Sequence, residues 1–87
     1  MTETHETRLK RLHMRSWRRG TKEMDLILGG FSDAEMAGLD AATLDAYETL
    51  LEENDWDLYY WVTGARDVPE AHRAMIDRLR EHSGIAG

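Results

Sequence analysis

Apolar residues recur at intervals of three and four along most of this chain, and this spacing limits its fold more than any other feature. Met24, Ile27, Leu28 and Phe31 stand at i, i+3, i+4 and i+7, so one face of a helix carries all four. No segment alternates apolar and polar residues as a half-buried strand does. The sequence therefore predicts an all-α fold.

Glycines delimit the first two predicted helices. The first covers residues 6–19, carries a basic face and ends at Gly20, because Gly inside a helix costs about 1 kcal/mol relative to Ala. The second begins near 21–23, and Gly29 and Gly30 mark its end.

Residues with capping side chains begin the remaining helices. Ser32 and Glu35 match the capping-box pattern, in which a Ser oxygen and a Glu carboxylate bind backbone N–H groups, so we expect a short helix that runs to about Gly38. Asp40 is the expected N-cap of a helix over 41–53. A helix over 56–63 is expected with Asp55 as its N-cap and Gly64 at its end, and the last helix is expected from Pro69 to about Ser83 and Gly84.

The length of the chain limits it to one domain. A chain of 87 residues has room for a single hydrophobic core, and the predicted connections between helices are short. We therefore expect one compact bundle of about five helices over residues 1–87, with flexible ends at 1–7 and 82–87.

Charge is divided unevenly along the chain. Residues 1–23 hold seven basic and three acidic side chains, whereas residues 24–87 hold four basic and fourteen acidic ones. A dipolar chain suits a partner surface of the opposite pattern, whereas tight DNA binding usually needs a basic balance over the whole domain. Nucleic acid is therefore a disfavoured partner, and binding through residues 8–19 would show an affinity that falls steeply with salt.

Composition also bears on the compartment. The chain has no cysteine, no apolar run of the roughly 18 residues that cross a bilayer, and no apolar core of a secretory signal at its start. Residues 8–19 are Arg-rich and amphipathic like a mitochondrial transit peptide, but acidic residues precede them and the next helix follows directly, so they belong to the fold. We expect a cytoplasmic bacterial protein that does not insert into a membrane and is monomeric when free.

The residue types that carry catalysis or hold metals do not form a recognisable pattern. A Ser-His-Asp triad needs converging side chains, and a metal needs several ligands, but the four histidines are scattered at His5, His13, His72 and His82. His72 stands on the apolar stripe of the last helix, where a buried, hydrogen-bonded core histidine is the more common outcome. No Gly-rich phosphate-binding motif is present. We expect no catalytic residue, no metal site and no nucleotide held by this chain alone.

Two segments do carry a family pattern. Residues 18–25 contain Arg19, Gly20 and Glu23, and residues 54–61 combine an acidic helix start with an aromatic helix. The first segment resembles the Arg-Gly-x-x-Glu signature of the SdhE family, the flavinylation factors of succinate dehydrogenase, and the second resembles the other recurring block of that family. The resemblance covers most of the chain.

The resemblance implies a partner-binding site. It places the site at Arg19, Gly20 and Glu23, with three neighbours of uncertain role, Arg18, Lys22 and Asp25. Arg19 and Glu23 are four residues apart and could share a helix face, and Gly20 would leave a gap that a partner backbone could approach closely. The residues alone favour a simple helix end at Gly20 and an exposed ion pair worth roughly 0.2–0.5 kcal/mol, and the resemblance reverses that preference.

Aromatic residues of the second segment extend this prediction. Leu58, Trp61 and Val62 form a core stripe, and one short helix cannot turn all of its aromatic residues inward. Trp56, Tyr59 or Tyr60 is therefore expected to be partly exposed and to extend the partner site, and of these we assign Trp56 and Tyr60 to it.

The resemblance also implies a function. It predicts a non-enzymatic, chaperone-like assembly factor that binds the flavoprotein subunit of succinate dehydrogenase and promotes covalent attachment of FAD, with the flavoprotein subunit of fumarate reductase as a further candidate partner. FAD would be carried by the partner and not bound stably by this chain. The alternative is a general helical interaction module, such as an antitoxin-like regulator, which the same bundle would serve.

Overall fold

Five α-helices make up the computed structural model, which describes residues 3–84. They are α1 (His5–Trp17), α2 (Lys22–Glu35), α3 (Ala41–Leu50), α4 (Asp55–Thr63) and α5 (Arg73–Ser83). Short 3-10 turns follow α2 at Met36–Gly38 and precede α5 at Glu70–His72. No strand occurs among residues 3–84, so the prediction of an all-α bundle of about five helices is confirmed.

The chain ends were expected to be flexible. Residues 5–7 and 82–83 belong to α1 and α5, whereas residues 1–2 and 85–87 lie outside the described part of the chain. None of the helices between residues 3 and 84 has both the length and the apolar character needed to span a membrane.

The core lies where α2 and α5 meet the other helices. α1 packs along α2, α2 contacts α4 and α5, and α5 also contacts α3. The largest fully buried side chains include Tyr47, Phe31, Leu12, Met24 and Leu28. Because every helix contributes to one buried cluster, the loops at the ends of the helices are held in fixed positions.

One buried polar network connects three helices. The hydroxyl of Tyr47 on α3 lies 2.6 Å from Oγ of Ser16 on α1 and 3.3 Å from the carbonyl oxygen of Leu28 on α2. Ser16 donates its own hydrogen bond to the carbonyl oxygen of Leu12, at 2.8 Å. Burial raises the pKa of Tyr47 to about 12. These bonds satisfy polar groups that would otherwise be costly to bury.

The prediction that Gly29 and Gly30 end the second helix is wrong. α2 continues through both glycines to Glu35, because the indole of Trp17 on α1 packs against the backbone at Gly29. A Cβ atom at Gly29 would overlap the indole ring, so the glycine permits two helices to approach closely.

The capping box predicted at Ser32 is also wrong. Ser32 lies inside α2, where its Oγ is 2.9 Å from Nδ1 of His13 on α1. Its hydroxyl therefore makes a contact between helices, and the short helix expected after it is only the 3-10 turn Met36–Gly38.

The caps of α3 and α4 are close to the predicted positions. Asp40 accepts a hydrogen bond from the backbone N–H of Thr43, at 2.8 Å, as predicted. α3 ends at Leu50, three residues earlier than expected. Asn54 caps α4, accepting from the backbone N–H of Asp57 at 2.9 Å, and the prediction that Asp55 does so is wrong.

The end of α4 follows its sequence signal, whereas α5 begins at Arg73, four residues later than predicted. Gly64 closes α4 with a left-handed φ of 82°, and Pro69 precedes the 3-10 turn that leads into α5. His72 in that turn is buried, and its Nε2 lies 2.7 Å from Oε2 of Glu53. The prediction of a buried, hydrogen-bonded histidine is confirmed.

Candidate functional site

Arg19 lies in the connection between α1 and α2, and its side chain reaches across to the connection between α3 and α4. Its Nε donates to Oδ1 of Asp55 at 2.8 Å, its Nη1 to the carbonyl oxygen of Leu51 at 2.8 Å, and its Nη2 to that of Glu53 at 2.6 Å. Only 11% of the Arg19 side chain is exposed. A helix leaves its last carbonyl groups without partners, and a guanidinium is well suited to bind several of them at once.

This arrangement corrects the prediction that Arg19 and Glu23 share a helix face. α1 ends at Trp17 and α2 begins at Lys22, so Arg19 is not helical. Its backbone N–H donates to Oδ1 of Asp25, at 2.8 Å, which fastens the connection to the first turn of α2. Arg19 is therefore an internal anchor that fixes the positions of its neighbours.

Gly20 forms the bend that follows this anchor. Its φ is +94°, which lies in the left-handed region that L side chains rarely adopt. No atom lies within 4 Å of the position that a Cβ would occupy. The surface at Gly20 is open to an approaching backbone.

A pocket of about 170 Å³ lies beside the anchor. The first turns of α2 and α4 form its walls, because Arg19 and Asp55 join the starts of these two helices. The lining residues are Thr21, Glu23, Asp55, Trp56 and Tyr59. The structure thus brings the two sequence segments together at one surface.

The residues predicted for the site fall into three groups: exposed residues at the pocket, residues of the anchor, and residues that lie beside the pocket. Gly20, Glu23 and Trp56 lie at or next to the pocket and are exposed. Arg19 is the anchor, and Asp25 accepts a hydrogen bond from its backbone N–H.

The other predicted residues lie beside this surface. Arg18 and Lys22 are exposed, and Arg18 lines a separate open groove on α1 together with Met14. Tyr60 is half-buried, with its ring centroid 6.4 Å from that of Trp56 and 4.6 Å from the guanidinium carbon of Arg66. Arg66 thus stacks on the aromatic face of α4.

Sequence reasoning did not assign Thr21 and Asp55 to the site, and it considered Tyr59 only as an alternative to Trp56 and Tyr60. Asp55 was expected to be only a helix cap, and its bond to Arg19 joins residues 36 positions apart in sequence. Thr21 caps α2, with its Oγ1 3.4 Å from the backbone nitrogen of Met24. The available sequence signal was its position: Thr is a preferred N-cap residue, and Thr21 stands directly after Gly20 at the start of the predicted helix.

No candidate metal-binding site is found among residues 3–84. Between residues 3 and 84, no group of three or more His, Cys, Asp or Glu side chains could hold a metal ion. Around the pocket the structure places an open glycine, an exposed carboxylate and an exposed indole, at Gly20, Glu23 and Trp56.

Comparison with known proteins identifies the family. A family model described as flavinator of succinate dehydrogenase matches residues 10–83, a range that includes every predicted site residue. The chain belongs to this family. The resemblance seen in its two sequence segments is therefore confirmed.

Curated relatives of this flavinator-family chain come from fungi. The relative from Mycosarcoma maydis is 41% identical over 68 residues, which are 78% of this chain and 29% of the relative. The relative from Meyerozyma guilliermondii is 46% identical over 66 residues, with 76% of this chain and 49% of the relative covered. The relative from Cryptococcus neoformans is 34% identical over 87 residues, with 98% of this chain and 50% of the relative covered. The chain thus spans about half or less of the length of these relatives.

The names of the relatives correct one expectation. All three are named succinate dehydrogenase assembly factor 2, mitochondrial. This naming points to the mitochondrion, so the prediction of a cytoplasmic bacterial protein is wrong. Composition could not decide this, because a chain without cysteine and without a long apolar run fits more than one compartment.

Proposed function

We propose that this flavinator-family protein is an assembly factor that binds the flavoprotein subunit of succinate dehydrogenase and promotes covalent attachment of FAD to it. The family match over residues 10–83 carries the proposal. The relatives named succinate dehydrogenase assembly factor support it.

The surface around Gly20, Glu23 and Trp56 is the proposed contact with this partner. Glu23 is exposed, and its carboxylate has no hydrogen bond or ion pair within residues 3–84. Trp56 is 64% exposed, although burial of an indole is favourable. Both side chains leave surface available to a partner, which supports a role in binding.

The local backbone conformation also favours glycine at position 20. Its left-handed φ alone would favour glycine at this bend, whether or not a partner is bound. The open space over Gly20 is what supports a contact, because a side chain here would project from the surface and meet nothing in the chain itself.

The chemistry of flavin attachment is assigned to the partner and to the flavin. The protein has only to bind the attachment-competent conformation of the subunit more tightly than other conformations, and each tenfold preference shifts that equilibrium by about 1.4 kcal/mol. No catalytic group of its own is required. The pocket of about 170 Å³ suits a single side chain better than a flavin, since sites for larger ligands usually measure about 300–1,000 Å³. We therefore propose that FAD stays with the partner.

The test measures covalent flavin fluorescence of the flavoprotein subunit on a denaturing gel. The subunit is produced with no factor, with the wild-type protein, or with the variants Gly20→Arg and Glu23→Ala. Gly84→Arg is a matched control for the glycine variant, because Gly84 also has a left-handed φ, of 74°, and no neighbour within 4 Å of a Cβ. Glu81→Ala is the control for the glutamate variant, since Glu81 is an exposed residue on α5.

Each variant is first checked for a normal helical melt. The proposal expects wild type and both controls to raise the fluorescence, and the two site variants to raise it much less. If wild type neither changes the signal nor co-purifies with the subunit, the assembly role is wrong and a general helical interaction module is the better description. If Gly84→Arg fails together with Gly20→Arg, backbone strain and not the surface explains the loss.

A further inference from the structure

Two features of the pocket between α2 and α4 point to the chemistry of what it binds. Its size, about 170 Å³, fits one side chain. Its walls carry two carboxylates, from Glu23 and Asp55, and two aromatic rings, from Trp56 and Tyr59, and no basic residue is among them.

The two carboxylates are not equivalent. Asp55 is 12% exposed and is already paired with Arg19, which offsets its charge. Glu23 is exposed and has no such partner within residues 3–84. The pocket therefore presents one carboxylate that no side chain of residues 3–84 pairs with, and a cation is the complementary group.

The exposed ring of Trp56 supports the same conclusion. An indole face attracts a cation that lies within about 6 Å of the ring centroid, and Trp is the best of the aromatic residues for this contact. The neighbouring ring of Tyr60 already binds a guanidinium in this way, because the guanidinium carbon of Arg66 lies 4.6 Å from its centroid. The aromatic surface of α4 thus shows this type of contact within the chain itself.

We propose that the pocket binds an arginine side chain of the flavoprotein subunit, with the guanidinium stacked on Trp56 and hydrogen-bonded to the Glu23 carboxylate. This inference rests on the proposed function, because the arginine belongs to that partner. Arginine fits better than lysine, since its planar guanidinium can stack on a ring and donate to a carboxylate at the same time. The hydrogen bond from the Arg19 anchor to Asp55 holds the two walls of the pocket in place.

Affinity for the purified flavoprotein subunit, measured by calorimetry, tests the contact. Glu23→Gln and Trp56→Leu should each weaken binding by roughly tenfold or more, because a charge-assisted hydrogen bond and a cation–π contact are lost. Trp56→Phe should retain much of the affinity, since it keeps an aromatic face. The double variant should lose less than the product of the two single losses, because both residues hold the same group. Glu81→Gln, on α5, should bind like wild type.

A second measurement needs no partner. Methylguanidinium chloride is titrated against the wild-type protein, and the indole N–H signals are followed by NMR, with sodium chloride at equal ionic strength as the reference. The Trp56 signal, identified by its absence in Trp56→Phe, should shift with methylguanidinium in wild type and much less in Glu23→Gln.

The two measurements separate the possible failures. If wild type does not bind the subunit, the proposed function fails and this inference fails with it. If wild type binds but Glu23→Gln and Trp56→Leu bind equally well, the surface contact is not an arginine pocket and only this inference is overturned. A methylguanidinium shift that is equal in wild type and Glu23→Gln contradicts the assigned role of the carboxylate.

Discussion

The indole of Trp17 on α1 occupies the space that a side chain at Gly29 on α2 would need. Trp17 is the last residue of α1, so the contact sets the distance between the two helices that the bend at Gly20 connects. A glycine inside a helix is normally a weakness, but here it allows the helices to pack closely.

Adding a methyl group at Gly29 should destabilise the fold. Gly29→Ala is expected to lower the free energy of unfolding by about 1–3 kcal/mol, because the new Cβ overlaps the ring of Trp17 and overpacks the interface. Urea denaturation followed by circular dichroism measures the change.

The neighbouring glycine provides the matched control. Gly30→Ala places a Cβ 3.8 Å from Nε2 of His82, an ordinary contact, so it should raise stability by about 0.5–1 kcal/mol through the better helix propensity of Ala. Equal effects of the two substitutions would show that the close packing at Trp17 does not control stability.

Removal of the Arg19 side chain should weaken both the fold and the candidate site. Arg19→Ala is expected to cost about 2–3 kcal/mol, because three hydrogen bonds from a charged group are lost and Asp55 is left without its partner. Arg19→Lys should recover little of this, since an ammonium group cannot reproduce the guanidinium geometry. Thermal and urea denaturation of the variants measure the loss.

Arg18 is the control for Arg19. It is exposed, and Arg18→Ala should change stability by no more than about 0.5 kcal/mol. A comparable loss for both variants would indicate a general charge effect instead of the anchor.

The buried hydroxyl of Tyr47 should contribute measurably to stability. Tyr47→Phe keeps the ring but removes the contacts with Ser16 and with the carbonyl oxygen of Leu28, so it should cost about 1 kcal/mol in urea denaturation. Tyr59→Phe serves as the control, because the Tyr59 ring is only half-buried at the edge of the core. An unchanged unfolding free energy for Tyr47→Phe would mean that the network adds no net stability.

Tyr47 should also make the fold sensitive to alkaline pH. Burial raises the pKa of Tyr47 to about 12, from its ordinary value of 10.0. The folded protein therefore keeps this proton when the unfolded chain has lost it. The resulting contribution to the free energy of unfolding is fully present below pH 10 and is lost between about pH 10 and 12. The loss amounts to about 2–3 kcal/mol. The unfolding free energy of wild type should fall more steeply over this range than that of Tyr47→Phe, and parallel curves would contradict the prediction.

The sequence predicted the positions of most helices. The period of the apolar residues, the cap at Asp40 and the closing glycines Gly64 and Gly84 act over a few residues, so these features could be identified without the fold. The sequence also brought Gly20 and Glu23 into one candidate site, through a resemblance that the family match confirms.

Two errors in the prediction, at Gly29 and Ser32, involve contacts between helices. Gly29 was taken as a helix end because local propensity disfavours glycine, and Trp17 on another helix reverses that preference. Ser32 was taken as a cap, but its hydroxyl contacts His13 on α1. Such partners are distant in sequence and leave no local signal.

The sequence by itself therefore determined most of the helices, the family and part of the candidate surface, including Gly20, Glu23 and Trp56. Only the tertiary structure decided that Arg19 is an anchor and that the Glu23 carboxylate has no partner within residues 3–84. The fourteen acidic residues after position 23 offered Arg19 many possible partners, and the choice of Asp55 depends on how α2 and α4 pack side by side. That packing is set by a core to which every helix contributes, so no single segment could reveal it.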